Sequence, residues 1–177
     1  MTKKPSIISL DSFMPVIEAA DGLTLSQVCA VSGLESSTIQ NWVKRGFVPS
    51  PIGKKYTERH LARILLISSL RDCMRIESIG ELMTIINGDT DDESDDIISE
   101  QELYSLFAQI ALKLESAFYS PEQVPHLVKG VMLSYKSDNN EHKHRLYSSL
   151  VVMALAYIAG IYKREADCML AEIKKDL

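Results

Sequence analysis

Cysteine is scarce in this sequence: three in 177 residues, at Cys29, Cys73 and Cys168. Odd in number and far apart, they give no disulfide framework, and a reducing, cytoplasmic setting fits them best. The eight glycines are scattered, so no phosphate loop or dinucleotide fingerprint can be drawn through them. Histidines number four. His142 and His144 stand two apart, which on a helix points them in different directions, and Cys168 is remote, so no paired metal-ligand spacing forms. His60 and His126 are expected on helix surfaces or at an interface. No grouping of His, Ser and carboxylates suggests a nucleophile with its base. The expectation is a protein that is no enzyme, with no metal and no cofactor. The N-terminus "MTKKPSIISLDSF" lacks a long apolar run and a small-residue cleavage site, so no signal peptide is read there.

Long hydrophobic runs are also few. The longest stretch without a charge is "LYSSLVVMALAYIAGIY", residues 146–162. It falls short of the roughly 20 apolar residues of a membrane span and contains two serines, three tyrosines and a glycine. The expectation is a buried central helix and no membrane partner.

Positive charge is missing from a whole section of the chain. Residues 76–112 carry ten acidic side chains and no basic one, whereas residues 37–75 carry eight basic and two acidic. Against a net charge of −5, such segregation marks a local basic patch suited to a polyanionic partner. A distant acidic tract does not cancel it, because the Debye length is roughly 8 Å at physiological salt.

What is present in quantity is helical periodicity. Thr24 can cap a helix carrying Leu25, Val28 and Cys29, ending near Ser32-Gly33. Ser36 or Ser37 can cap a second, with Ile39, Trp42 and Val43 inward and Gly46 stopping it. Two short helices joined by a tight Gly-containing turn are a helix-turn-helix pattern. Pro49 and Pro51 forbid helix in "FVPSPIGKKY", which reads as a small loop or hairpin. Thr57 then caps a third helix through Cys73, and Ile76, Ile79, Leu82, Met83 and Ile86 mark a fourth. The tract "DTDDESDDIIS" reads as a solvated linker. Beyond it, apolar stripes at Leu103–Leu114 and Val124–Tyr135 and a last helix from about Glu141 suggest a three-helix bundle. The expected fold is therefore mainly all-α. Its division is an N-terminal segment (1–22), a helix-turn-helix domain with a small basic wing (23–88), an acidic linker (89–98) and a helical dimerisation or effector domain (99–177).

On the second helix, Ser36, Ser37, Gln40, Asn41 and Lys44 are left on the outer face. Gln and Asn can pair bidentately with adenine, while Ser and Lys suit phosphates. Lys54, Lys55 and the Tyr56 hydroxyl could reach a nucleic-acid backbone from the wing, with Arg63 as an outlying charge. The competing account leaves these lysines as solvated surface. Trp42 and Gly46 are expected to be structural: an aromatic anchor and a helix stop. In the C-terminal half, Tyr135, Tyr147, Met153, Tyr157 and Tyr162 could line a pocket for a small-molecule effector, or simply fill the core.

Helix, turn, helix, a basic loop ending in Tyr and then a helix pair resembles the winged DNA-binding domain of MerR-type transcriptional regulators. The resemblance runs from about Leu23 to Met83 and rests on Thr38-Ile39, Trp42, Gly46-Phe47, Lys55-Tyr56 and the spacing Ile76, Ile79, Leu82. The "Trp-Val-Lys-Arg-Gly" step and the helical C-terminal half are similar to an uncharacterised MerR-like family of Gram-positive bacteria, labelled only as a domain of unknown function. The resemblance implies sequence-specific binding of double-stranded DNA by a transcriptional regulator. It departs at Gln40, where the family has an arginine: one phosphate contact is missing or replaced by a base-reading amide. The long dimerising helix that usually follows is absent, so a homodimer is expected through residues 99–177. The alternative function is a protein–protein module that reuses the winged fold without a DNA target.

Overall fold

The computed structural model describes residues 7–175, and among them eight α-helices and no β-strand. After a 3-10 turn at Leu10–Ser12 come α1 (Met14–Ala20), α2 (Leu25–Ser32), α3 (Ser36–Lys44), α4 (Glu58–Leu70), α5 (Ile76–Asn87), α6 (Glu100–Ser116), α7 (Val124–Val131), a second 3-10 turn at Met132–Ser134 and α8 (Asn140–Ile173). The all-α expectation holds. Residues 1–6 of the expected N-terminal segment lie outside the described residues.

Local signals explain most of the helix ends. Thr24 caps α2 in a reciprocal box: its hydroxyl accepts from the Gln27 N–H at 3.4 Å, and the Gln27 side chain accepts from the Thr24 N–H at 2.8 Å. Gly33 closes α2 in the left-handed region at φ 67°. For α3 the expected serine cap is corrected. Glu35 occupies the N-cap without a side-chain bond, and Ser36 and Ser37 are already helical. The turn is tight, with Leu34 buried and its N–H donating to Ser32 Oγ, so the chain enters α3 a residue early.

The helix α4 is the axis of the molecule: ten of its thirteen residues are buried, among them Leu61, Ile64, Leu66 and Ile67. It packs chiefly against α6; α8 lies along α6 and α7 and reaches α4 and α5. The helices α6, α7 and α8 pack on one another as the expected bundle, and the buried residues form one cluster from Leu10 to Ile158. Between α5 and α6 the acidic stretch is stitched down at its end, where Ile98 is buried and the Ile97 N–H donates to Ile86 O.

The charge-free run 146–162 was expected to be buried all round. Only one face is: Leu146, Ser149, Leu150, Met153, Tyr157 and Gly160 turn inward, while Val152 and Tyr162 on the other side are exposed. By length and composition α8 is apolar enough to cross a membrane, and less than half of its most apolar window is covered by the rest of the chain.

Candidate nucleic-acid interface

The α2–α3 pair is held from below. Ile39 and Trp42 of α3 are buried with Val28 of α2, and Val43 is half-buried. Burying that side leaves Ser36, Ser37, Gln40, Asn41 and Lys44 exposed together along the outward face, as expected. Gly46 follows α3 at φ 75° with open space where a Cβ would stand. It turns the chain so that the Phe47 and Val48 N–H groups both donate back to Trp42 O.

The loop after α3 contains no strand, only two isolated bridges. Ile52 and Lys55 exchange backbone hydrogen bonds of 3.1 and 2.8 Å around Gly53 (φ 56°) and Lys54 (φ 65°). Two left-handed central residues make this a minimal type I′ turn. Leu23 and Tyr56 exchange a second pair, both 2.8 Å, which ties the turn to the start of α2. Gly22, at φ 103°, permits that closeness, since a Cβ there would stand 3.0 Å from Tyr56 O. Lys54 is thus exposed at the tip, in a conformation that costs a non-glycine residue roughly 1–2 kcal/mol. Lys55 is half-buried and donates to Ala20 O at 3.2 Å.

Two expected contact residues are corrected. Tyr56 is in the core, bridged to Leu23 and edge-on to His60 with ring centroids 5.7 Å apart; burial pushes its phenol up. Arg63 is buried too. Its Nη1 is ion-paired with the buried Glu100 of α6, Nε donates to Phe47 O at 2.7 Å and Nη2 to Thr90 Oγ1 at 3.1 Å. The reason is its place on the inward face of α4, where a lone arginine is tolerated only with a partner. His60 is likewise buried and not on the surface. Its Nδ1 accepts from the Thr57 N–H at 3.1 Å, which leaves Nε2–H to donate to Ser50 O at 3.2 Å. Burial pushes its imidazole below the usual range, favouring this neutral form.

The basic stretch therefore divides. Arg59 joins Arg63 in holding the acidic tract, donating to Thr90 O at 2.9 Å and pairing with Glu93 at 3.2 Å. Arg45 pairs with Glu77 of α5 and lies over the Phe47 ring at 4.7 Å. The residues that remain outward are Lys44, Lys54 and two that sequence reasoning missed, Arg71 and Arg75. Both of these line an open groove of about 480 Å³ beside the C-terminal end of α3, shared with Trp42, Arg45 and Asp72. The Arg71 guanidinium stands 5.9 Å from the Trp42 ring. The third helix, expected through Cys73, ends at Leu70, which puts Arg71 in the connection with Arg75; that this connection returns to α3 was not legible either.

The expected aromatic pocket in the C-terminal half does not form as one site. Tyr135 and Tyr147 line an open groove with Lys129 and Lys143. Met153 and Tyr157 are core residues, and Tyr162 is exposed. Among the described residues no group of His, Cys, Asp and Glu could hold a metal ion.

Residues 10–107 match the model of a family described as a domain of unknown function, DUF1836. The match passes through the acidic tract into α6 and so takes in both Arg63 and Glu100. The chain is also similar to an uncharacterised protein of Bacillus subtilis (strain 168), YkrK, with 31% identity over 90 residues. That similarity covers 49% of this chain and 39% of the relative's length. No solved structure gives a significant match.

Proposed function

This chain belongs to the DUF1836 family, and from that premise we propose that it is a cytoplasmic, sequence-specific DNA-binding regulator of MerR-like winged helix-turn-helix type. The observation that carries the reading is the outward face of α3. Ser36, Ser37, Gln40, Asn41 and Lys44 are exposed together on a helix whose opposite side is anchored by Ile39 and Trp42. Gln40 and Asn41 have the chemistry to read adenine edges in a major groove, with Lys44 and the serines on phosphates. The tight turn presenting Lys54 is a reduced wing, and Arg71 and Arg75 add positive charge beside the C-terminal end of α3. A single module this small makes few base contacts, so two copies on paired half-sites are proposed, joined through residues 99–177. A small-molecule effector would belong to the same half.

A second reading needs fewer phosphate contacts, and the internal pairing of Arg45, Arg59 and Arg63 leaves fewer free cations than the sequence promised. In it, the same face docks an acidic protein. Selection of bound fragments from a random DNA pool, followed by affinity measured against salt, separates the two. Four phosphate contacts per protomer of a dimer predict that log K falls against log salt with a slope of about −7, at ~0.9 per phosphate. Lys44→Ala with Lys54→Ala should flatten that slope and weaken all sequences alike, whereas Gln40→Ala should change the preferred sequence. A pool that yields no enriched sequence would sink the DNA reading.

A further inference from the structure

The helix α8 is 34 residues long, about 51 Å at 1.5 Å per residue, and its neighbours cover only part of it. Past the contacts of Lys163 and Arg164 with Asp72, the last residues of the helix are exposed on every side. Isolated helical turns are marginal in water without a packed face. This segment nevertheless carries large apolar side chains in the open, with Met169 57% and Ile173 58% exposed.

Their spacing is regular. Val152, Leu155, Ala159, Tyr162, Ala166, Met169 and Ile173 follow one another at alternating steps of three and four. Three heptads of that pattern are the signature of a coiled-coil seam. At 100° per residue the seam lies on the side of α8 opposite Leu146, Leu150, Met153 and Tyr157, which face the core. Leu155 is half-buried and the other six are exposed. Phe118, also exposed, stands edge-on to Tyr162 at 6.2 Å and widens the apolar strip.

We propose that this seam pairs with the same seam of a second copy, antiparallel, about a two-fold axis between Gly160 and Ile161. The side-chain sizes select that register. Antiparallel packing sets Tyr162 against Ala159 of the second copy, Leu155 against Ala166 and Val152 against Met169, so that a large residue meets a smaller one in each layer. Parallel pairing would stack Tyr162 on Tyr162 between two Ala–Ala layers, a clash beside two gaps. The antiparallel register also brings no two like charges together: the flanking Lys163 meets Ala156, and Glu165 and Glu172 meet Ile158 and Val151. The projecting end of each helix then lies along the body of the other copy, an isologous contact that closes on itself. The proposal deepens the assembly part of the reading above, by naming the partner surface within residues 99–177. It does not depend on what α3 contacts.

Light scattering on the full chain tests the pairing, and crosslinking tests the orientation. The wild type should be dimeric at micromolar concentration, and Met169→Glu with Ile173→Glu should be monomeric with unchanged helicity, since both positions are exposed within the protomer. For orientation, Val152→Cys and Met169→Cys are made separately in a Cys73→Ser, Cys168→Ser background and treated with a short bis-maleimide. Crosslinks should form when the two are mixed and equilibrated, and not within either alone. A monomeric wild type, a dimer unaffected by the two glutamates, or crosslinking of each variant with itself overturns the proposal. So does capture of the wild type by neutral lipid vesicles through α8. Loss of DNA binding with the dimer intact would count against the DNA reading alone.

Discussion

Replacing Arg63 with methionine is the substitution on which the sequence and the structure disagree most. A residue contacting DNA at the edge of a patch would leave stability untouched and lower affinity. The structure puts the guanidinium beneath the loop, ion-paired to Glu100, with its side chain 3% and that of Glu100 0% exposed. The other Glu100 oxygen, Oε2, is buried without a hydrogen-bond partner, so the arginine is its main compensation. Removing one member of such a pair leaves an uncompensated buried charge and costs about 3–5 kcal/mol. Arg63→Met should therefore lower the stability seen in urea unfolding by that amount, followed by Trp42 fluorescence and helicity together.

The double variant Arg63→Met, Glu100→Leu makes the argument sharper. Exchanging a buried ion pair for apolar side chains of similar volume is often neutral or stabilising. Phe47 O and Thr90 Oγ1 would each still lose a donor, at about 1 kcal/mol apiece. The double should then fall within about 2 kcal/mol of wild type and be more stable than either single. A cost below about 1 kcal/mol for Arg63→Met would refute the reasoning, because the pair would have to be hydrated. A double variant as damaged as the sum of the singles would refute it as well, because the two side chains would then not be coupled.

Three further outcomes follow from single positions. Lys54→Gly removes the left-handed penalty of roughly 1–2 kcal/mol and adds glycine's entropy cost of about 0.5–1, so calorimetry should show unchanged or slightly raised stability while affinity for selected DNA falls; a clear loss of stability would mean that the Lys54 side chain holds the turn. Trp42→Ala empties a buried aromatic site and should cost about 3–5 kcal/mol, and an unchanged melting curve would show that the indole faces a ligand instead. Asp96, whose Oδ1 is buried without a partner, has its carboxyl pushed up from 3.8 to about 6, chiefly by burial. The folded state thus holds this proton more tightly than the unfolded chain does, so the group's contribution to stability falls as pH rises from about 4 through about 6. Asp96→Asn should raise stability at pH 7–8 and flatten that part of the profile; an unaltered pH dependence would place the carboxyl in water.

Short-range signals were legible and long-range ones were not. The Thr24 cap, the inward spacing of Ile39 and Trp42 and the stop at Gly46 are each decided within about one helical turn, and each stands where the pattern put it. The outward set on α3 follows from the same periodicity. Arg63 was misplaced because nothing local marks it as buried: its partner Glu100 is 37 positions away. His60 has a local partner in the Thr57 N–H, but its other partner, Ser50 O, lies ten positions back across the loop. Charge counting failed for the same reason. It treated residues 37–75 and 76–112 as separate fields, whereas folding lays Thr90, Glu93 and Glu100 against Arg59 and Arg63. The apolar run in α8 misled differently, since composition alone does not say that one side meets the core and the other the outside.

That pairing changes what the acidic tract is for. A tract that merely competed with DNA for the patch would be displaced by salt and by DNA. Here Thr90 and Glu93 of the tract hold Arg59 and Arg63 of α4, while Glu100, the first residue of α6, closes the buried ion pair with Arg63, so both arginines serve the fold. Outside those pairs, Lys44, Arg71 and Arg75 are exposed near the end of α3, and Lys54 at the tip of the turn. Of these, Lys54 is the most informative. Folding alone would favour glycine at a φ of 65°, because the lysine there is strained, exposed and has no ion pair among the described residues. A strained residue that packing does not require is a position to test for a role outside the fold, and under the proposed reading the partner of this exposed cation is a phosphate.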